Sequence, residues 1–146
     1  MAETAERTAA TTWEGDLPEG RGTVTVRSGA IGDFPVTWSS RTERSDGKTS
    51  PEELIAAAHS SCFSMALSNV LAEAGNPPES LNVTSTVTFD FGQGKVTESR
   101  LTVRGRVPGL DEAGFQDAVR AAEQGCPVSN ALRGNLEMPV DATLES

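Results

Sequence analysis

The sequence predicts an α+β fold in which antiparallel strands surround one long helix. Two patterns indicate this class: apolar and polar residues alternate in four separate segments, and residues 54–72 contain no Asp, Glu, Lys or Arg. The segments lack the regular alternation of strand and helix that builds a parallel Rossmann sheet. A chain of 146 residues has the size of one domain, so we expect a single domain over residues 1–146.

The N-terminal segment is expected to be a loose arm over residues 1–11, because it is rich in Ala and Thr. It has neither the basic region nor the apolar region of a secretory signal. This favours a cytoplasmic location, where cysteines normally stay reduced. The two cysteines of the chain are also too few for a disulfide framework. The first predicted strand contains Val24 and Val26.

The central element is a helix predicted over residues 51–74. Ser50 suits its N-cap, Glu53 completes a capping box, and Gly75 is a stop signal. The serines and His59 that interrupt its apolar stretch favour a buried helix over a membrane span. The helix is apolar on nearly all sides and about 36 Å long, so one small chain has few elements to cover it. A second copy could supply the cover, which predicts a homodimer.

The remaining elements are three strands and two helices. The strands are predicted to be half-buried and antiparallel, and residues 92–95 form the turn of a hairpin. Asp111 caps a helix that ends at Gly125, and a short helix follows over residues 127–132. The apolar positions of the three strands are Val83, Val87, Phe89, Phe91, Leu101, Val103, Val107, Leu136, Met138, Val140 and Leu144.

The charge of the chain argues against two classes of partner. It has 12 basic and 21 acidic residues, a formal net charge of -9, and no dense run of basic residues. Such a surface repels phosphate backbones and anionic lipids. We therefore expect no nucleic-acid partner and no membrane partner.

Two cysteines are the candidates for chemistry. Cys62 lies in the middle of the long helix, and Cys126 suits the N-cap of the short helix, where the helix dipole stabilises a thiolate. Each also has a plain structural interpretation, as a small core residue for Cys62 and as a turn residue for Cys126. A thiol deep in an apolar helix has a raised pKa unless a cation or a good donor lies nearby. The chain has ten arginines, and the pattern alone does not select one.

His59 lies three residues before Cys62 and can share its side of the helix. We expect it to bond a backbone or carboxylate neighbour rather than to act as a catalytic group. The alternative is a metal-binding or redox-sensing module in which His59, Cys62 and Cys126 are ligands. Three ligands are an incomplete set, and the sequence has no CxxC pair. This alternative therefore has the weaker support.

Two segments of the sequence resemble a known family. TSPEELIAAAHSSCFSMALS and GCPVSNAL look like the two signature segments of the OsmC/Ohr family, the osmotically inducible and organic hydroperoxide resistance proteins. The AAH and CFSMALS portions have the OsmC form. WEGDLPEGRGTV near the N-terminus and the order of the elements extend the resemblance over nearly the whole chain.

The resemblance implies a cysteine-based peroxidase of oxidative and osmotic stress defence, which reduces organic hydroperoxides to alcohols without a metal or other cofactor. It makes Cys62 the peroxidatic cysteine, which becomes a sulfenic acid, and Cys126 the resolving cysteine of a Cys62–Cys126 disulfide. The family's arginine matches Arg41, and its partner glutamate matches Glu52. Arg44 is a second candidate, because the loop after Arg41 is one residue longer than the family pattern.

The resemblance also implies a fold and a set of partners. The OsmC-like fold is an intertwined homodimer in which antiparallel sheets wrap around long central helices. The partners are an organic hydroperoxide and a dithiol reductant, which is a lipoyl protein for some relatives. An apolar surround that includes Phe63 and Met65 favours alkyl peroxides over small polar ones. A noncatalytic relative with two buried cysteines is the remaining alternative.

Glu52 lies ten residues before Cys62, which is about 15 Å along one helix. Its carboxylate therefore cannot touch the sulfur of its own chain. Either an arginine spans part of this distance, or the two long helices of a dimer run antiparallel and each site borrows residues from the other chain.

Overall fold

The computed structural model describes residues 3–145, so the predictions made for residues 1, 2 and 146 lie outside the described residues. The chain divides into two units, residues 1–51 and residues 52–146. The single domain expected from the length stays a prediction. The elements are β1 (Ala9–Glu14), β2 (Arg21–Val26), β3 (Phe34–Val36), α1 (Trp38–Thr42), α2 (Pro51–Glu73), β4 (Ser80–Asp90), β5 (Lys95–Arg106), α3 (Glu112–Gly125), α4 (Pro127–Leu132) and β6 (Val140–Glu145).

The first unit contains an antiparallel sheet in the order β1-β2-β3, followed by α1. Trp13 pairs with Gly22, and a Cβ on Gly22 would lie 2.8 Å from the Trp13 ring. Thr37 caps α1, since its hydroxyl accepts from the Ser40 N–H and the Ser40 hydroxyl accepts from the Thr37 N–H. β1, β3 and α1 were not among the elements predicted from the sequence.

The last residues of the predicted loose arm, residues 1–11, form part of a strand. Residues 9–11 belong to β1, where Ala9 pairs with Val26 and Thr11 pairs with Val24. All six side chains of β1 are exposed, so no alternation of buried residues marks the strand, which is placed by its backbone pairing with β2. The prediction was therefore wrong at the C-terminal end of the arm.

The second unit contains a sheet in the order β4-β5-β6. β4 and β5 pair antiparallel, with an irregular register between Thr88 and Phe89. In the turn between them, the Gln93 N–H donates to the Asp90 carbonyl at 3.2 Å, and Gly94 adopts a φ of 69° that glycine tolerates. The predicted hairpin is confirmed.

β6 runs parallel to β5, with Leu101 opposite Val140. The expectation of antiparallel pairing was therefore wrong for this strand, which also begins later than predicted, after Leu136 and Met138. The reason is the long connection, because α3 and α4 bring the chain back to the sheet in a direction that a hairpin turn cannot give. Two small sheets and one long helix nevertheless confirm the predicted α+β class.

α2 supplies the centre of the core in the second unit, and it ends one residue earlier than predicted. Phe63, Leu67 and Leu71 recur every four residues and are at most 1% exposed. They belong to one core cluster with residues of β5 and α3. A Cβ on Gly105 of β5 would lie 2.6 Å from the Phe115 ring of α3, so this glycine permits close packing of the two elements.

The other side of α2 is exposed. Met65 on that side is 72% exposed, and it lines a groove with Pro78 and Leu81. Within residues 3–145, α2 is also the one helix whose length and apolar composition would suffice to cross a membrane. A core helix can have the same length and composition, and the Phe63 face of α2 packs in the core of the second unit.

Candidate active site

The two cysteines meet where the middle of α2 approaches the start of α4. Cys62 is half-buried, and Cys126 is fully buried. Both are free thiols, and the Cys62 thiol lies within hydrogen-bonding reach of the Cys126 sulfur. The fold of the second unit thus brings together the two cysteines that the sequence singled out.

Burial raises the pKa of the Cys62 thiol, and the neighbouring Cys126 raises it further. The nearby backbone N–H of Val128, in the first turn of α4, lowers the pKa of the Cys62 thiol and partly offsets the increase. A thiol in this environment is protonated at neutral pH. Nucleophilic chemistry at Cys62 therefore needs a further cation or donor beside the sulfur.

Cys126 is the residue at which α3 ends and α4 begins. Its backbone N–H donates to the Ala122 carbonyl at 2.8 Å, which closes α3. Its sulfur accepts from the Ser129 N–H at 3.4 Å, which caps α4. Pro127 follows at the start of the helix, where a missing N–H is tolerated. The predicted N-cap role of Cys126 is confirmed.

His59 is fully buried on α2 and is bonded at both ring nitrogens. Its Nδ1 lies 2.6 Å from Ser99 Oγ, and its Nε2 lies 2.9 Å from Ser129 Oγ. Burial lowers the pKa of His59, which favours the neutral imidazole. The expected backbone or carboxylate partner was therefore wrong. Hydroxyl groups suit a buried neutral ring better, because a carboxylate would lose its own hydration there.

The interpretation of His59, Cys62 and Cys126 as joint metal ligands was also wrong. Within residues 3–145, no three His, Cys, Asp or Glu side chains are grouped so that they could hold a metal ion. Both ring nitrogens of His59 are engaged by serine hydroxyls. The groups of the site that are available to react are the two thiols.

The two arginine candidates belong to the first unit, and Glu52 belongs to the second. Arg41 lies in the last turn of α1, half-buried, with its guanidinium carbon 5.9 Å from the centre of the Trp38 ring. Arg44 follows α1 and is exposed. Glu52 lies in the first turn of α2 and is 7% exposed. A carboxylate this deeply buried is stabilised only with a charged or hydrogen-bonding partner.

Phe63 and Met65 lie in different surroundings. Phe63 is fully buried in the core with Leu67, whereas Met65 is exposed on the other side of α2. Side chains two positions apart on a helix point about 200° apart, so the two cannot line one face of it. Phe63 and Met65 of one chain therefore do not form a common lining, and the assignment of each to the surround of the substrate stays a prediction.

Three serines of the hydrogen-bonded chain around His59 were not among the predicted residues: Ser99 and Ser129 bond the ring, and Ser85 bonds Ser99. Ser99 shares the inward face of β5 with Leu101, and Ser85 shares the inward face of β4 with Val83. A polar residue at an inward position of an alternating strand is the signal that could have identified both. Ser129 stands three residues after the N-cap cysteine, at the position whose N–H an N-cap side chain receives.

The comparison with known proteins agrees with the sequence motifs. The family model described as OsmC-like protein matches residues 44–141. The chain is 40% identical to the peroxiredoxin OsmC of Escherichia coli (strain K12) over 136 residues, which cover 92% of this chain and 93% of that protein. It is 38% identical to the organic hydroperoxide resistance protein of Xanthomonas axonopodis pv. citri (strain 306) over 94 residues, which cover 62% and 63% of the two chains.

A solved structure gives the same assignment for the fold. The organic hydroperoxide resistance protein from Elizabethkingia anophelis superposes with a TM-score of 0.72 at 27% identity, over 99% of this chain and 100% of that chain. The residues matched by the family model make up more than half of the chain and include Cys62 and Cys126. The chain therefore belongs to the OsmC family.

Proposed function

We propose that the protein is a thiol-dependent peroxidase that reduces organic hydroperoxides to alcohols. The observation that carries the proposal is the pair of free thiols, with Cys62 within hydrogen-bonding reach of Cys126. The names of two relatives, a peroxiredoxin and an organic hydroperoxide resistance protein, support a peroxidase-type role. Two neighbouring thiols can reduce a peroxide and retain the oxidising equivalents as a disulfide.

The proposed reaction has two steps within the protein. The Cys62 thiolate attacks the distal oxygen of the hydroperoxide, the O–O bond breaks, and the alkoxide takes a proton and leaves as the alcohol. Cys62 is then a sulfenic acid. The Cys126 sulfur attacks the Cys62 sulfur, the S–O bond breaks, and the oxygen leaves with the thiol proton as water. A dithiol such as a lipoyl protein then reduces the disulfide by thiol–disulfide exchange.

Arg41 is the residue that we assign to the activation of Cys62. A cation is needed because burial raises the pKa of this thiol. Arg41 is half-buried and lies over Trp38, whereas Arg44 is exposed, so Arg41 loses less side-chain entropy when it binds a peroxide. Glu52, the family's partner glutamate, would hold the planar guanidinium by two parallel hydrogen bonds.

The proposed active form is a homodimer in the cytoplasm. The exposed side of α2 carries Met65 and small or uncharged polar residues such as Ser61 and Asn69, with no charge over residues 54–72, and a second copy would cover it. If the two α2 helices run antiparallel, Glu52 of one chain approaches Cys62 of the other, which removes the separation of about 15 Å along one helix. An apolar lining, to which Phe63 and Met65 are assigned, would favour alkyl peroxides over hydrogen peroxide.

Single-turnover kinetics test the proposed reaction. The reduced protein is expected to consume cumene hydroperoxide faster than hydrogen peroxide, with loss of both thiols. Cys62→Ser is expected to be inactive because it lacks the attacking sulfur. Cys126→Ser is expected to consume one equivalent and to stop as the sulfenic acid, which dimedone captures.

The same variants decide the alternatives. If the thiols of the reduced wild-type protein remain free after cumene hydroperoxide is added, the peroxidase function is wrong, and a noncatalytic relative with buried cysteines is favoured. If Cys126→Ser turns over as the wild type does, the assignment of Cys126 as the resolving cysteine is wrong.

A further inference from the structure

A buried hydrogen-bonded chain ties α4 to α2 beside the two cysteines, and the reaction described above gives it no role. We propose that His59 is a positioning residue for the resolving step, which holds the first turn of α4 so that Cys126 stays within reach of Cys62. The inference rests on the proposed peroxidase function. In this role His59 affects the rate of disulfide formation without reacting itself.

The contacts of His59 join three elements. Nε2 lies 2.9 Å from Ser129 Oγ in α4, and Nδ1 lies 2.6 Å from Ser99 Oγ in β5. Ser99 is also fully buried, and its Oγ lies 2.9 Å from Ser85 Oγ in β4. The imidazole on α2 therefore connects α4 to the sheet, and the position of α4 relative to α2 depends on the ring.

Ser129 connects His59 to Cys126, because it bonds both residues. Its hydroxyl bonds His59 Nε2, and its backbone N–H donates to Cys126 Sγ at 3.4 Å. The N–H of Val128, one residue earlier, lies close enough to the Cys62 sulfur to lower the pKa of that thiol. One turn of α4 thus presents a donor to each sulfur, and the His59–Ser129 bond holds that turn in place.

Local bonds hold this turn only weakly. α4 has six residues, and a helix so short gains little stability from its own hydrogen bonds. The N-cap acceptor is a sulfur, which accepts more weakly than the oxygen of Ser, Asp or Asn. The bond from His59 is a tertiary contact with a neutral partner, because burial lowers the pKa of the ring. A neutral imidazole can serve as one donor and one acceptor with no buried charge.

The resolving step is the one that depends on this geometry. The S–S bond forms between Cys126 and Cys62, the S–O bond of the sulfenic acid breaks, and the oxygen leaves as water with the Cys126 proton. Orientation of the attacking sulfur affects the rate of such an intramolecular step strongly. Attack on the peroxide takes place at Cys62 before Cys126 reacts. α4 contributes to it only through the Val128 N–H, whose effect on the pKa of the Cys62 thiol is smaller than that of burial, so attack depends less on where α4 lies.

Four variants separate positioning from stability. In His59→Gln the side-chain amide can lie near the place of Nε2, which keeps a bond to Ser129. In His59→Asn the amide can lie near the place of Nδ1, which loses that bond. Ser129→Ala removes the same bond from α4 and keeps the N–H that caps Cys126. Ser85→Ala is the matched control, because it breaks the chain at its far end.

Stopped-flow mixing with cumene hydroperoxide, with dimedone capture, gives the rates of sulfenic acid formation and of its conversion to the disulfide. We expect the conversion to slow about tenfold in Ser129→Ala and His59→Asn. In His59→Gln and Ser85→Ala we expect it to stay within about threefold of wild type. The rate of peroxide attack should stay within about threefold in all four variants, so that the sulfenic acid accumulates in the first two alone.

Two results would overturn the role of His59. One is conversion at the wild-type rate in folded Ser129→Ala or His59→Asn. The other is slowing in all four variants in proportion to the loss in free energy of unfolding, because that result indicates a purely structural role.

Diamide distinguishes this failure from failure of the peroxidase function. It is an azo oxidant that accepts the hydrogens of two thiols and becomes a hydrazine, so it closes the same disulfide without a peroxide. Suppose that the wild-type protein does not reduce cumene hydroperoxide, but that diamide closes the disulfide more slowly in Ser129→Ala and His59→Asn than in the wild type. This result rejects the peroxidase function and supports the positioning role of His59. Equal closure in these variants and the wild type rejects the role of His59.

Discussion

At Cys62, burial and a neighbouring thiol raise the pKa, and the N–H of Val128 opposes them. A protonated thiol reacts slowly with peroxides, because the thiolate is the nucleophile. The reactivity of this cysteine is therefore decided by groups that its own helix does not supply. Arg41 is the residue proposed to supply the charge.

Replacing Arg41 by Ala is expected to lower the second-order rate constant for cumene hydroperoxide by roughly 100-fold, because the thiolate and the reacting oxygens both lose their cation. Stopped-flow kinetics measure this rate, and the pH dependence of alkylation by iodoacetamide should show a higher pKa for Cys62. Arg44→Ala, at an exposed position, is the control and should change the rate less than about twofold. The assignment is reversed if Arg44→Ala causes the larger loss.

The single histidine of the chain predicts a pH dependence of stability. Burial lowers the pKa of His59 from its ordinary value of 6.5, so below that pH the unfolded chain binds a proton that the folded chain does not. The free energy of unfolding then rises with pH and is lost on acidification, with a slope of at most about 1.4 kcal/mol per pH unit.

Urea denaturation from about pH 7.5 down to about pH 5.5 measures this slope. In His59→Gln the decrease on acidification should be smaller. Burial raises the pKa of Glu123, which gives the opposite slope above its ordinary value, but this contribution is common to both proteins and cancels in the comparison. Equal slopes in the two proteins would show that the buried imidazole does not govern the dependence.

At the level of elements, helix ends were predictable from the sequence. Asp111, Gly125 and Cys126 bound α3 and α4 at the residues expected, because a cap is a local bond within one turn. The direction of β6 was not predictable, since alternation of side chains is the same in parallel and antiparallel strands. β1 was not predicted, because all its side chains are exposed and no alternation of apolar and polar residues marks the strand.

The candidate site shows the same division between local and distant contacts. Cys126 at its N-cap could be predicted, because Gly125 and Pro127 stand beside it. The partners of His59 could not, because Ser99 and Ser129 are 40 and 70 residues away in the chain. Such contacts depend on how the strands and helices pack, which the pattern of one sequence does not fix.

Packing between β5 and α3 gives a prediction at the same scale. Gly105→Ala places a Cβ 2.6 Å from the Phe115 ring, and the resulting overpacking is expected to cost about 1–3 kcal/mol in free energy of unfolding. Urea denaturation followed by circular dichroism measures the loss. Gly125→Ala is the control within the same unit, because a Cβ there meets nothing within 4 Å. A Gly105→Ala protein as stable as the wild type would show that α3 can shift away from the sheet.

For the whole molecule, the division of α2 into two sides is the main feature. Phe63, Leu67 and Leu71 lie in the core of one chain, whereas Met65 is exposed. An uncharged side that carries an exposed Met and is left open on a long central helix is a candidate surface for another chain. The proposed homodimer follows from this feature together with the family.

Sedimentation velocity at micromolar concentration is expected to give twice the chain mass of 15.3 kDa. Met65→Glu should dissociate the dimer, because a carboxylate in an apolar interface loses its hydration without a partner. Ile31→Glu is the control at another exposed apolar residue, 47% exposed in the first unit, and should leave the mass unchanged. A compact monomer in the wild type would reject the homodimer.

Cys126 ends α3 through its backbone and caps α4 through its sulfur, so oxidation of this residue should affect the two helices differently. Its N–H bond to Ala122 does not involve the sulfur, whereas its bond to Ser129 does. A change in the chemical state of that sulfur should therefore loosen the segment downstream and leave the upstream helix untouched. Amide deuterium uptake of the reduced and oxidised forms should then differ in Pro127–Leu132 and agree in Glu112–Gly125. The redox state of Cys126 would thus change the stability of the helix that follows it and not of the helix that precedes it.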